Sequence, residues 1–110
     1  MHPRRGEVWW VSFDPSVGGE IQKTRPALIL SNNAANAVPN LVIVVPLSSQ
    51  TDRLHPGEAM VTLNGKQRKV KGDQIVTASK QRLRNKAGVL SSLDLAAVEK
   101  AVLVQLGIRR

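Results

Sequence analysis

The chain has 110 residues, 42% of them hydrophobic, no cysteine, and 16 Lys and Arg against 8 Asp and Glu for a formal net charge of +8. That length holds one compact domain, residues 1–110, and leaves no room for a second core. The lack of cysteine excludes disulfides and thiolate metal sites, no apolar run is long enough to span a bilayer, and the positive excess points to a polyanionic partner.

Residues 1–7 are polar and unlike a signal peptide, so an unexported, cytoplasmic protein is expected. Residues 7–13 alternate, with Trp9, Val11 and Phe13 on one side and Val8 and Trp10 on the other, and predict a strand closed by Asp14-Pro15. A polar, Gly-containing stretch over 18–24 then leads to Arg25, and an apolar run over 26–31 predicts the second strand. Pro26 fixes its own φ and pushes the residue before it toward extended geometry. Arg25 is therefore expected at the mouth of that strand with its guanidinium outward, a fixed fork of donors suited to a phosphate.

Further strands are predicted over 41–47, 59–63 and 74–78, separated by Asn32-Asn33, Pro39-Asn40, Pro56-Gly57, Asn64-Gly65 and Gly72. Asn64-Gly65 reads as a tight hairpin turn. The polar stretch 47–52 follows an apolar strand, so the hydroxyls of Ser48 and Ser49 are expected to emerge at the same kind of strand end as Arg25, two strand ends facing one phosphate. Ser91, with Asp94 three residues on, predicts a capped helix running to Leu106. Its stripe is Leu95, Val98, Val102 and Leu106, and Gly107 stops it. The pattern is a mainly β chain with a C-terminal helix lying across an open barrel.

The acids, Glu7, Asp14, Glu20, Asp52, Glu58, Asp73, Asp94 and Glu99, form no paired metal-binding motif, and the histidines, His2 and His55, lie in terminal and loop sequence. No metal or other cofactor is expected. Nucleophile signatures, a P-loop and a dinucleotide fingerprint are all missing. Half of the basic residues fall in one stretch, Lys66, Arg68, Lys69, Lys71, Lys80, Arg82, Arg84 and Lys86, with Asp73 the only acid among them. A nucleic-acid backbone suits such a cluster. RNA carries its own nucleophile, the 2′-hydroxyl, so a ribonuclease needs only to position a phosphate, accept a proton and stabilise negative charge. Trp9, Trp10 and Phe13 are confined to the first strand, so bases are not expected to stack along a sheet, and the tryptophans read as core and dimer contacts.

Several short motifs stand in one order: Arg5-Gly6-Glu7-Val8-Trp9, Phe13-Asp14-Pro15, Gly19-Glu20, Thr24-Arg25-Pro26, Val45-Pro46-Leu47-Ser48-Ser49-Gln50, Gly72-Asp73-Gln74-Ile75 and Lys80-Gln81-Arg82-Leu83. Together they resemble the MazF/PemK toxins of type II toxin–antitoxin systems, small homodimeric endoribonucleases. The resemblance implies an SH3-like open barrel of the CcdB/MazF/PemK kind with a C-terminal helix. It also implies metal-independent cleavage of single-stranded RNA, mRNA included, that halts translation, and neutralisation by an antitoxin with an acidic, partly disordered tail. By this match Arg25 acts at the scissile phosphate as general acid or transition-state stabiliser, the second favoured because a guanidinium is a poor proton donor, and Ser48 stands where threonine is usual. Asp73 and Glu20 are the candidate general bases; Gly19 replaces a histidine of some members, and Lys71 an arginine.

RNA contacts are expected from Lys23, Thr24, Ser49, Gln50, Arg53, Lys71, Gln74, Arg82 and Arg84, with Lys66, Arg68, Lys69, Arg82 and Arg84 shared between RNA and the antitoxin tail. Two alternatives use the same fold, a non-catalytic nucleic-acid-binding module and a CcdB-like gyrase poison. Neither accounts for the Arg25 and Ser48 motifs.

Overall fold

The computed structural model describes residues 2–13, Gly18 and residues 23–109. Its strands are β1 (Glu7–Ser12), β2 (Thr24–Ile29), β3 (Leu41–Ser48), β4 (Glu58–Leu63), β5 (Lys66–Lys71), β6 (Val76–Ser79) and β7 (Leu83–Val89). The helices are a short α1 (Asn33–Ala37) and α2 (Ser92–Leu106), and single 3-10 turns cover Gly72–Gln74 and Lys80–Arg82. All pairings are antiparallel, in the order β4-β5-β3-β2-β1-β7, with β6 also on β3. The sheet curls into an open half-barrel, and the Asn64 side chain at one end donates to the Ala87 carbonyl of β7 at the other (2.9 Å).

The alternation of β1 divides the core. Val8 faces a cluster with Leu28, Val45, Leu47, Val61 and Val70, which Val98, Ala101 and Val102 of α2 cover. Trp9 and Val11 face the opposite cluster, with Ala27, Ile29, Val42, Val44 and Ala78, and Phe13 and Leu83 pack against it. Each face of the sheet thus buries apolar side chains, which gives β2 and β3 nearly continuous apolar runs.

The helix follows its sequence signals. Ser91 Oγ accepts the Asp94 amide (3.1 Å), and Gly107, at φ 71, closes the last turn, with the Gly107 amide on Val104 O and the Ile108 amide on Leu103 O. The Asp94 carboxylate is used elsewhere, accepting the Thr62 amide of edge strand β4 (2.9 Å). The expected stripe is corrected at one end: Leu106 is 54% exposed, while Ala101 takes its place in the core. Asn64 and Gly65, at φ 52 and 80, form the hairpin turn, since both central residues take the left-handed region that such a turn demands. The last predicted strand starts later, at Val76, because Gly72–Gln74 makes a 3-10 turn. β5 and β7 are strands that the apolar pattern missed.

One ionic cluster lies inside the fold. Glu58, at 6% exposure, takes the His55 amide (2.8 Å), Lys71 Nζ (3.2 Å) and Lys69 Nζ (3.4 Å). Burial alone pushes its pKa up; the amide bond and the two ammonium groups outweigh this and hold it below its ordinary 4.5. A depressed carboxylate pKa stabilises the fold above the unfolded value, and that contribution is lost as pH falls through the folded one. Glu58→Gln is expected to cost about 3 kcal/mol in denaturant unfolding at pH 7, since it strands two lysines, one of them buried. The deficit should shrink below about pH 4.5.

Candidate nucleic-acid interface

The site begins where a ladder ends. β2 and β3 are paired through Ile29↔Val44, Leu28↔Val45 and Ala27↔Pro46, and there the pairing stops. Pro26, whose nitrogen turns toward β3 as that of Leu30 does, has no amide hydrogen to donate there. Thr24, Arg25 and Pro26 stay paired to β1 alone, while Leu47 and Ser48 turn to β5. Continued by two residues, the β2–β3 register sets Arg25 opposite Ser48, and cross-strand partners point to the same face. On β5 the partner of Ser48 is Lys69 and on β1 the partner of Arg25 is Val11, so Arg25, Ser48 and Lys69 belong to the face of the sheet opposite Trp10, Leu47 and Val70. Arg25 lies inside β2, one residue past its start, and is half-buried; the strand thus opens two residues before its predicted start at residue 26.

A groove of about 510 Å³ opens at this gap. Its walls carry Lys23, Thr24, Arg25 and Ser49 beside Lys66 and Arg68 of β5, over Leu47 and Leu63. Lys23 enters β2 at φ 65, a left-handed conformation that costs a residue with a Cβ about 1–2 kcal/mol. The cations, hydroxyls and apolar floor together suit a phosphate joined to a flat apolar group.

The other expected residues are placed as follows. Ser48 Oγ accepts the Gln50 amide (3.1 Å), a local turn that fixes the hydroxyl oxygen and leaves its own hydrogen to donate. Arg53 gives its carbonyl to Lys69 Nζ (3.0 Å), which ties down the loop after β3. Lys71 is held by Glu58 rather than by the groove, and Gln74 sits half-buried in the 3-10 turn. Asp73 lines a separate hollow of about 320 Å³ with His55, Pro56, Gly57, Glu58, Val104 and Gln105, sharing no lining residue with the Arg25 groove. Glu20 and Gly19 lie outside the described residues.

The basic stretch is sorted by the fold into different tasks. Lys80 Nζ reaches the carbonyls of Asn36 and Val38 at the end of α1, and Lys86 pairs with Glu7 (3.0 Å). Glu7 also takes the Arg4 amide and the Trp9 ring N–H. Burial works to raise its pKa, and these three donors lower it below 4.5 on balance. Arg82 donates to Ser12 O (3.0 Å) and Arg84 to Gln81 O (2.9 Å). Lys69 is nearly buried against Glu58, so its expected role as a direct phosphate ligand gives way to a positioning one. Trp9 is core, as expected; Trp10 instead lines the groove, as does Asn64. The clue to Trp10 is present in the alternation, which sends neighbouring tryptophans to opposite faces.

A family model described as PemK-like, MazF-like toxin of type II toxin-antitoxin system matches residues 4–106. The chain belongs to this family. The toxin is 33% identical over 112 residues to Endoribonuclease MazF9 of Mycobacterium tuberculosis (strain ATCC 25618 / H37Rv), covering 94% of this chain and 95% of that one. It is 44% identical over 61 residues to Endoribonuclease PemK of Escherichia coli, covering 56% and 46%. Among solved structures it is similar to MazF (Form-I) from Deinococcus radiodurans, with a TM-score of 0.87 at 27% identity over 98% of this chain and 99% of that one. An endoribonuclease in complex with its cognate antitoxin from Mycobacterial species gives 0.82 at 26%, over 98% of each chain. The expected architecture, a mainly β open barrel with one C-terminal helix, is that of these neighbours.

The sorting of charges can be measured. Lys66→Ala combined with Arg68→Ala is expected to leave unfolding stability within about 0.5 kcal/mol of the parent. Binding of a single-stranded oligonucleotide should weaken, and its log–log salt slope flatten by about 0.7 for each phosphate no longer neutralised. Lys69→Ala should do the reverse, costing about 2 kcal/mol of stability.

Proposed function

We propose that this toxin is a sequence-selective endoribonuclease that cleaves single-stranded RNA through the substrate's own 2′-hydroxyl, and so halts translation until an antitoxin binds. The observation that carries this reading is the basic groove at the end of the β2–β3 ladder, which Arg25 and Ser49 line and beside which Ser48 stands one residue away in the chain. Relatives named as endoribonucleases support it, one of them matched over almost its whole length.

In the proposed reaction the scissile phosphate lies at Arg25. The 2′-oxygen attacks phosphorus while the bond from phosphorus to the 5′-oxygen breaks, leaving a 2′,3′-cyclic phosphate and a 5′-oxygen that takes its proton from water to become a hydroxyl. Charge builds on the non-bridging oxygens, where a planar guanidinium places two donors at once. Arginine stays protonated, so its part is charge stabilisation rather than proton donation. The Ser48 hydroxyl, its oxygen anchored by the Gln50 amide, donates to the same oxygens. The 2′-hydroxyl proton goes to a carboxylate. Asp73 and Glu20 are the candidates for that base, Asp73 lining a separate hollow and Glu20 standing four residues before β2 in the chain. Among the described residues no group of His, Asp and Glu is arranged to hold a metal ion, and no helix is long and apolar enough to cross a membrane. The toxin is proposed to act in the cytoplasm as a homodimer. Its net charge of +8 matches an antitoxin tail rich in acids.

The test is cleavage of a single-stranded RNA in EDTA, with analysis of the product ends. Cyclic phosphate ends from the parent protein are expected, with a loss of about 10²–10³ in kcat for Arg25→Ala. Arg25→Lys should recover little, because a compact ammonium cannot reproduce the two-donor contact. Ser48→Ala should fall by about tenfold or more and Ser48→Thr keep or exceed parent activity, since threonine holds the hydroxyl in fewer rotamers. RNA binding without cleavage would leave only the binding-module reading, and undiminished cleavage by a folded Arg25→Ala protein would remove Arg25 from the reaction.

A further inference from the structure

Trp9 and Trp10 are adjacent on β1 and have opposite fates. Trp9 is buried, its ring N–H held by Glu7, whereas Trp10 is 39% exposed. Trp10 is the register partner of Pro26, the residue after Arg25, and lines the same groove. Beneath it lie Leu47 and Leu63, both buried, and at the rim stand Lys66 and Arg68. Thr24 and Ser49 bring hydroxyls to the same space. An exposed indole on a monomer's surface is ordinary only when it stands alone. Here it occupies a concave site with an apolar floor and a positive rim, and Arg25 joins the lining of that site from the neighbouring strand.

A flat, sequence-tolerant π surface flanked by cations is the arrangement by which proteins hold unpaired bases. The rim charge favours a polyanion, and continuity with Arg25 places that polyanion's backbone at the groove's edge. We propose that Trp10 is the stacking platform for one unpaired nucleobase of the RNA, next to the phosphate that Arg25 holds. Thr24 and Ser49 serve its hydrogen-bonding edge. The proposal rests on the endoribonuclease reading and adds a base subsite to it. It also explains how a single strand is selected, since a base held in a duplex has no free face to offer the indole.

The experiment compares the parent protein with Trp10→Phe and Trp10→Ala. It uses a cleavable RNA and the same oligonucleotide made uncleavable by one 2′-deoxy substitution at the scissile nucleotide, along which single abasic sites are walked. Thermal unfolding and sedimentation report fold and oligomeric state. Trp10→Ala is expected to keep both and to weaken binding of the uncleavable strand about tenfold to a hundredfold. The loss should appear in KM rather than in kcat, and Trp10→Phe should restore most of it. One abasic position should weaken binding to the parent protein but not to Trp10→Ala. Equal affinity of all three proteins, or an abasic walk that Trp10→Ala leaves unchanged, would overturn the proposal. A changed oligomeric state with equal losses for every ligand would make Trp10 a subunit contact instead. If an acidic peptide, and not RNA, lost affinity on substitution, the groove would belong to the antitoxin. Should Trp10→Ala not fold, Trp10→Phe and the abasic walk on the parent protein still decide. Failure of the parent to cleave RNA would refute the catalytic reading alone, because the binding arms use a strand that no enzyme need cut.

Discussion

The arrangement of this molecule depends on one missing amide hydrogen. Leu30 donates its amide to Ile43 O across β2 and β3, and the same alternation turns the nitrogen of Pro26 toward β3, where proline has no hydrogen to give and the ladder ends. Without that donor the pairing is not carried on to Leu47, and the two strands part beside Arg25. From there β3 swings across to β5 and β2 keeps only β1. The sheet therefore splits along one line, with polar side chains at the split and the apolar core exposed at its floor. A catalytic or binding centre needs such a place, where backbone pairing yields to side chains without unravelling the strands on either side.

Charge is distributed by the same logic. A net charge of +8 gives long-range attraction for a polyanion, yet the individual cations do unlike things. Lys80 secures a helix end, Lys86 fastens β7 to β1 through Glu7, and Lys69 joins Glu58 to the loop after β3. Lys66 and Arg68, on the alternate face of the same strand as Lys69, border the groove. A buried lysine in a hydrogen-bonded cluster contributes shape more than binding energy, so the cluster around Glu58 fixes the loop that follows Ser48, while Lys66 and Arg68 bring charge to the groove.

Much of this is legible in the chain itself, where the signal is local. The alternation of β1, the Asn64-Gly65 turn, the Ser91 cap and the Gly107 stop each act within a few residues, and each appears in the fold. Arg25 stands out because Pro26 constrains it directly. β5 is hidden because its cations become strand residues only once Glu58 lies across from Lys71 on β4, a pairing between residues 13 apart. β7 is hidden for a similar reason, its exposed Arg84, Asn85 and Lys86 carrying no alternation of hydrophobicity. Asp73 looks close to the site from its motif, but the 3-10 turn that carries it faces the end of α2. Trp10 reads as a core or dimer residue because burial is the usual fate of tryptophan, and only the split between β2 and β3 leaves its face open.

The central claim is that Arg25 and Ser48, on strands whose pairing has ended, act on one phosphate. A double-mutant cycle on kcat/KM tests it most directly, with Arg25→Ala, Ser48→Ala and the double variant assayed on one RNA. Two donors to the same developing charge should be strongly non-additive, the double variant being little worse than Arg25→Ala and the coupling about 1 kcal/mol or more. Losses that simply add, within about 0.5 kcal/mol, would show the two side chains acting at separate places and would contradict the account.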